Sequence, residues 1–232
     1  VVVPATLDGV GCVDEVKLLP DDASEFAKKI IEPSMRQKGD DIPVSAMSVD
    51  GVIPTGTAKL EKRGIAPRVP KWNSETCAQC GVCASACPHA AIRTKLIEPA
   101  DAEKAPASFT MVDAKPNDHG EKFKVQVYCN DCTGCGVCTQ ACPSKNKAEP
   151  EKKAINMVPQ EPIAASEAKN WDFFVDLPEY DRTQINKNLV KQAMLLEPLF
   201  EFSGSCAGCG ETAYVRLVSQ LFGDRMVVAN AT

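Results

Sequence analysis

No apolar run in this 232-residue chain approaches the roughly 20 residues that a membrane span needs. The basic residues are scattered rather than clustered and the formal net charge is −5, so a nucleic-acid partner is not expected. Nothing resembles a secretory signal, and the twelve cysteines are therefore expected in a reducing cytoplasm, where thiolates stay available to metal. An initiator Met is also lacking. The chain opens Val1-Val2-Val3-Pro4 and stops at Ala231-Thr232, just after an apolar run, Met226-Val227-Val228-Ala229, that reads as a buried strand. It is expected to be a piece of a longer polypeptide. The rest, 44% hydrophobic and 25% charged, is ordinary globular composition for one to three compact units.

Cysteine, by contrast, is plentiful and ordered. Eight cysteines fall into two near-identical runs, Cys77-x2-Cys80-x2-Cys83-x3-Cys87-Pro88 and Cys132-x2-Cys135-x2-Cys138-x3-Cys142-Pro143. This is the ligand spacing of a pair of cubane iron–sulfur clusters. Three closely spaced thiolates cap three irons of one cube, and Gly81 and Gly136 let each loop wrap tightly. In two-cluster ferredoxins the Cys before the Pro crosses to the other cube. That rule assigns Cys77, Cys80, Cys83 and Cys142 to a first [4Fe–4S] cluster, and Cys132, Cys135, Cys138 and Cys87 to a second. Paired C-x2-C units also serve zinc, but zinc motifs do not call for a third Cys at the same step and then a Cys-Pro, twice over. A disulfide scaffold is disfavoured because a chain of this length holds a core without staples. Aromatic residues, at 6%, are scarce, as they often are where metal and thiolates do part of the folding work.

Along the chain, residues 1–70 are rich in Pro and Gly, with turn signals at Asp8-Gly9, Lys38-Gly39, Asp50-Gly51 and Pro54-Thr55-Gly56. One short helix is predicted there, capped by Asp21, Asp22 or Ser24, with Phe26, Ile30 and Ile31 as its apolar stripe. The stretch reads as a connector or clamp. Residues 71–168 form the cluster domain, with strands predicted at Ala90-Ala91-Ile92 and, on period-2 alternation, at Lys124 to Tyr128. The polar, Pro-containing stretch Glu98–Gly120 reads as an exposed insertion. In residues 169–232, Ile185, Leu189, Ala193, Met194 and Leu196 recur at helical spacing, and Tyr214, Val215, Leu217, Val218, Leu221 and Phe222 make a second stripe closed by Gly223. Loop, helix and then strand is the start of an α/β unit, so the whole reads as α+β.

Before that last helix stands Ser205-Cys206-Ala207-Gly208-Cys209-Gly210-Glu211-Thr212. A lone C-x2-C leaves a redox dithiol, half a zinc site and half a cluster site open. At a helix N-terminus the dipole favours thiolate and suits an anionic cluster or a phosphate. Cys12 and Cys129 lack partner spacing and read as small buried hydrophobes.

Four segments resemble one family, the pyruvate:ferredoxin (flavodoxin) oxidoreductases, and the resemblance runs through essentially the whole chain. Gly56 to Ala66, GTAKLEKRGIA, is similar to the Glu-Lys-Arg signature of the family's small domain; Cys77–Ile92 and Asp131–Lys145 are similar to its ferredoxin-like domain; and Ser203–Tyr214, SGSCAGCGETAY, resembles the opening of its thiamine-binding domain. The resemblance implies a bacterial two-cluster ferredoxin-like domain between an irregular connector and the beginning of an α/β thiamine-diphosphate domain. It implies that Cys206 and Cys209 give two ligands to a third [4Fe–4S] cluster and that Glu211 contacts thiamine diphosphate. The remaining ligands, Mg2+ and the diphosphate site are expected in the rest of the parent polypeptide, so the fragment alone is not expected to turn over pyruvate. The implied activity is oxidative decarboxylation of pyruvate with coenzyme A, in a homodimeric enzyme that passes single electrons to ferredoxin or flavodoxin. No residue of this chain is expected to act as acid or base.

Other readings stand beside these. A stand-alone two-cluster ferredoxin, or an electron-transfer subunit of another complex, has no use for SGSCAGCGE or the EKR segment; a zinc-stabilised interaction module is the third possibility. His89 could hydrogen-bond near a sulfur or simply pack. Glu61, Lys62 and Arg63 also read as a solvated or salt-bridged face, and Trp72 and Trp171 as seals on the edges of the cluster domain.

Overall fold

The structure is a computed structural model that describes residues 17–60, 62, 64–116 and 119–229. Cys12, Glu61, Arg63 and the two chain ends lie outside the described residues. The chain divides into two compact units, residues 1–62 and 63–232.

The first unit holds little regular structure. A π-turn, Ala27–Ile31, runs into the short helix α1, Glu32–Met35, and the Ala27 amide donates to Ser24 Oγ at 3.2 Å, so Ser24 is the residue that caps this segment. Leu19, Ala23 and Ala27 form its small core, with Ile31, Met35 and Leu60 packed around it. Three short 3₁₀ turns follow, at Gly39–Asp41, Val44–Ala46 and Thr57–Leu60. Val44, Val49, Val52 and Ile53 stand exposed.

The second unit turns the sequence repeat into a structural one. The first half reads β1, Arg68–Trp72; cysteine loop; α2, Val82–Ala86; β2, Ile92–Ile97. After α3, Pro99–Ala102, and β3, Val112–Asp113, the second half repeats it: β4, Lys122–Val127; cysteine loop; α4, Val137–Ala141; β5, Ile155–Pro159. Each first strand pairs antiparallel with the other half's last strand. Arg68 to Trp72 face Pro159 to Ile155, and Ile92 to Ile97 face Val127 to Lys122. With α2 packed on α4, this exchange brings the end of each half beside the loop of the other.

β4 has both faces covered. Phe123, Val125 and Val127 join the core around the cysteines, while Lys124 and Gln126 on the opposite face are buried too. The alternation therefore marks two chemistries, not a dry and a wet side. The polar face meets the helix α5, Ala164–Asp176, whose last turn is capped by Lys95 of β2: Nζ donates to Phe174 O at 2.9 Å and Leu177 O at 2.7 Å. Glu179 neutralises Lys95 at 2.8 Å and Arg93 at 3.0 Å. Buried amines are costly unless so partnered.

The stretch Glu98–Gly120 is more than an exposed insertion. It adds β3 to the edge of the sheet, in the order β2-β4-β3, and Phe109 to a second core with Ile97, Tyr128, Trp171, Phe174 and Leu177. Trp171 stacks on Tyr128 at 4.3 Å, and Trp72 meets Phe123 edge-on at 6.3 Å.

Beyond α5, the helical spacing from Ile185 to Leu196 yields only α6, Val190–Ala193, because before it the Asn186 side chain accepts from the Asn188 amide in a turn and the Asn186 amide donates to Gln192 Oε1. The last helix, α7, spans Gly210–Phe222 as its periodicity predicts, but the expected apolar stripe is not the face it buries: Leu217 and Leu221 pack against the core, Tyr214, Val218 and Phe222 stand exposed, and the buried side chains are Thr212, Arg216, Ser219 and Gln220. Met226 to Ala229 pair with no strand among the described residues, and Val227 and Val228 are exposed. A strand needs a neighbouring strand to take its hydrogen bonds, which apolar composition alone does not supply. No described helix is long and apolar enough to cross a membrane.

Candidate metal centres

Two cavities of nearly equal size sit between the halves. One, of about 20 Å³, is lined by Cys77, Cys80, Cys83 and Cys142. The other, also of about 20 Å³, is lined by Cys132, Cys135, Cys138 and Cys87. The structure thus brings together the two sets that the crossing rule groups. Local geometry accounts for the exchange. Cys83 lies in the first turn of α2 and Cys87 caps its end, about 6 Å further along the axis, and Cys138 and Cys142 bracket α4 in the same way. The sets adjoin, since Cys138 interacts electrostatically with Cys83 as well as with its own three companions.

The loops reach this shape through left-handed backbone positions. Gly134 has φ +70°, and a Cβ there would meet Ala66 Cβ and Arg68 O at 3.1 Å. The matching position in the first repeat is Gln79, at φ +56°. Its side chain offsets the strain: Nε2 donates to Asp113 O at 2.7 Å, and Oε1 accepts from the Lys115 amide at 2.9 Å. In both loops this residue's amide points at sulfur, Gln79 to Cys77 Sγ at 3.3 Å and Gly134 to Cys132 Sγ at 3.4 Å.

Burial keeps Cys83, Cys87, Cys132 and Cys138 protonated when nothing else binds them. It pushes Cys83 up to about 12, with Cys77 and Cys80 adding to the effect, and Cys132 up to about 11. Cys138 and Cys87 are raised by burial as well; for Cys87 the backbone amides of His89, Ala91 and Ile92 pull the other way. Metal binding here must release protons.

The donor set fits a cluster better than a lone ion. A zinc ion holds its sulfurs roughly 4 Å apart, whereas among the described residues no three His, Cys, Asp or Glu side chains converge on a single-ion site. The four thiols of each set instead surround a volume. Three of the buried polar atoms without a partner line these volumes: Trp72 Nε1 beside the first, His89 Nε2 and Thr133 Oγ1 beside the second. Trp72 Nε1 and Thr133 Oγ1 can donate to sulfide or thiolate, whereas His89, whose Nδ1 donates to Ser203 O at 3.3 Å, can do so through Nε2 only as imidazolium.

Cys206, Cys209 and Glu211 stand at the start of α7. Cys209 caps the helix, and the amides of Thr212 and Glu211 hold its thiol below the usual range. Cys206 and Glu211 are exposed. Among the described residues no third ligand closes a metal site with this pair. The loop is nonetheless fixed against the second set, because a Cβ on Gly208 would lie 3.3 Å from Cys135 Cβ. Cys129 is buried and lines neither cavity; burial pushes its thiol up to about 12.

Sequence reasoning missed Gln79, Thr133 and Arg216. The first was signalled by its mismatch with Gly134 in the repeat, and Arg216 by being a lone charge between Val215 and Leu217 in an apolar stripe. Thr133 gave no signal.

Residues 76–171 match the family model of a 4Fe-4S double cluster binding domain, and residues 14–66 match a domain of unknown function named EKR. The chain is 52% identical over 93% of its length to a putative pyruvate-flavodoxin oxidoreductase of Synechocystis sp., of which the match covers 18%. It is 49% identical over 95% of its length to a pyruvate:ferredoxin oxidoreductase of Moorella thermoacetica, again covering 18%. A pyruvate dehydrogenase [NADP(+)] of Euglena gracilis is 41% identical over 90% of the chain, which covers 11% of that protein. Across about nine tenths of its own length, therefore, the chain is homologous to a segment of the pyruvate–flavodoxin and pyruvate:ferredoxin oxidoreductases, and it spans less than a fifth of theirs.

Proposed function

We propose that this segment is the electron relay of a pyruvate:ferredoxin or pyruvate:flavodoxin oxidoreductase, which decarboxylates pyruvate oxidatively and delivers the acetyl group to coenzyme A. Cys77, Cys80, Cys83 and Cys142 would hold one [4Fe–4S] cluster and Cys132, Cys135, Cys138 and Cys87 another. The observation that carries the reading is that each cavity is lined by three cysteines of one repeat and the Cys-Pro cysteine of the other. Such clusters, when bound, take and give one electron at a time, as splitting a two-electron oxidation requires. The chain's own residues anchor the thiolates, bury them from water, and bring amide, indole and hydroxyl donors to the sites.

The contact of Gly208 with Cys135 supports an order for the path. Electrons would enter at Cys206 and Cys209, pass the set containing Cys135, and leave from the set containing Cys83. In this reading residues 1–70 are a connector, 71–168 a two-cluster ferredoxin-like domain and 169–232 the start of a thiamine-diphosphate domain. Cys206 and Cys209 share a third cluster with ligands from the rest of the protein, where Mg2+ also binds, and Glu211 contacts thiamine diphosphate. Since the Euglena relative is named for NADP(+), the segment is common to enzymes with different final acceptors. Ferredoxin or flavodoxin is assigned here from the names of the other relatives.

The test is EPR of the full-length protein, reconstituted anaerobically. Interacting cubane signals that appear with dithionite, and also with pyruvate plus coenzyme A, are expected. An EPR-silent, zinc-loaded protein would overturn the cluster assignment; signals with dithionite but none with pyruvate would favour a relay in some other redox complex.

A further inference from the structure

Arg216 is the least expected side chain in the second unit. It sits in α7 at 2% exposure, yet its hydrogen bonds are all to neutral groups. Nε donates to Cys87 O at 3.1 Å and Nη2 to Ser85 O at 2.6 Å, while Nη1 donates to Gln220 Oε1 and reaches Met194 Sδ at 3.6 Å. Gln220 is held in turn by donating to Leu196 O at 2.7 Å. Among the described residues no carboxylate pairs with Arg216. The ionisable group that interacts with it is the Cys87 thiol, one of the four that line the second cavity.

A guanidinium stays charged at any ordinary pH, and an uncompensated buried charge is expensive. Two of its bonds go to the closing carbonyls of α2, which a purely structural cap would also satisfy. The cap does not supply the missing negative charge; a four-thiolate cluster does. We propose, on the strength of the cluster assignment above, that Arg216 is the buried counter-charge of the second site: it favours the more negative, reduced state there and ties α7, which carries Cys209 and Glu211, to the crossing cysteine. It is a positioning residue, acting through the Cys87 anchor.

The equivalent place in the other half sharpens the inference. At the end of α4 the closing carbonyls, Thr139 O and Gln140 O, accept from Lys153 Nζ at 2.7 and 3.0 Å. Both helices that carry a crossing cysteine thus end on a cation. Lys153 is half-buried and partly screened by water, whereas Arg216 is not. The second site is the one whose potential is raised more.

The experiment is an EPR-monitored redox titration of the loaded full-length protein with Arg216→Gln and Arg216→Lys. The second site's signal is identified as the one altered by Cys135→Ala. Arg216→Gln is expected to shift that signal's midpoint downward and leave the other in place, and Arg216→Lys to restore most of the shift. Should Arg216→Gln fail to load the second site, a loss of about four irons that Arg216→Lys recovers also supports the proposal. Unmoved midpoints in loaded Arg216→Gln would overturn it. So would equal shifts at both sites, equal shifts in both variants, or loss of the second cluster in both, because each of these assigns Arg216 to capping alone. A wild-type protein with no second cluster signal would instead count against the cluster assignment.

Discussion

The two halves of the cluster-binding unit solve one backbone problem in opposite ways. At the residue before the second cysteine of the run, the second half uses Gly134, whose left-handed conformation carries no steric cost and whose missing Cβ lets Ala66 and Arg68 approach. The first half uses Gln79 and offsets the strain with two hydrogen bonds, one to the last residue of β3 and one from Lys115 just beyond it. The surroundings differ accordingly. The first loop is pinned to the 98–120 stretch, and the second is pressed between residues 66–68 and the Gly208 turn. One ligand spacing can therefore be folded by different neighbours, and those neighbours set what each site touches: Trp72 at the first, His89, Thr133 and Arg216 at the second.

The comparison breaks most visibly if the halves do not exchange ligands. In loaded full-length protein, Cys142→Ala should remove or degrade the cluster of the first half, and Cys87→Ala that of the second, each costing up to about half of the iron bound in this unit, read by iron analysis and EPR. A Cys142→Ala protein that instead loses the signal altered by Cys135→Ala would contradict the exchange. The next largest effect concerns metal removal. Stripped protein should lose near-UV circular dichroism and melt at a lower temperature, because cluster binding and folding are coupled.

The stripped protein should also weaken in alkali. A thiol whose folded value lies above its unfolded value of 9.0 contributes stability fully below about pH 9 and loses it as the pH climbs through the folded value. Cys132 places that loss toward about 11 and Cys83 toward about 12. Denaturant midpoints should fall from about pH 9 upward. Lys124 works in the other sense: burial lowers its amine to about 8, so its cost is relieved between there and its ordinary 10.5. Lys124→Met should leave the thiol-driven decline steeper.

Substitutions at the paired backbone position come last. Gly134→Ala meets both a left-handed strain and a 3.1 Å contact with Arg68 O, and should cost about 1–3 kcal/mol. Gln79→Ala keeps a left-handed residue and removes both hydrogen bonds, at about 1–3 kcal/mol, and should also loosen the 98–120 stretch to proteolysis. Urea unfolding of the two variants checks both, and a stabilised Gly134→Ala would refute the loop geometry.

Much of the site was legible because ligand spacing is a local constraint: the eight cysteines stand three or four residues apart within each run, and the fold has little freedom in grouping them once α2 and α4 lie together. The extent of helix α7 was legible from its periodicity and its Gly223 end, but the face it buries was not, since Arg216 and Gln220 are buried through hydrogen bonds to partners remote in the chain while Tyr214 and Phe222 are exposed. The exchange partner of each strand was not, since pairing of Ile92 with Val127 depends on contacts far apart in sequence. Phe109 and Lys95 were missed for a related reason. A polar stretch reads as surface until a helix such as α5 is known to cover it, and the cost of burying Lys95 is offset by Glu179 and two carbonyls remote from it in the chain. At Met226 to Ala229 the apolar run was read as a strand, but extended backbone becomes a strand only beside another one.

The most direct test of the two-site account is an anomalous difference map collected at the iron absorption edge from anaerobically grown crystals of the full-length protein. The account predicts one iron–sulfur cluster bonded to Cys77, Cys80, Cys83 and Cys142, and a second bonded to Cys132, Cys135, Cys138 and Cys87. A map in which Cys87 joins Cys77, Cys80 and Cys83 around one centre, or in which zinc replaces iron, would contradict it.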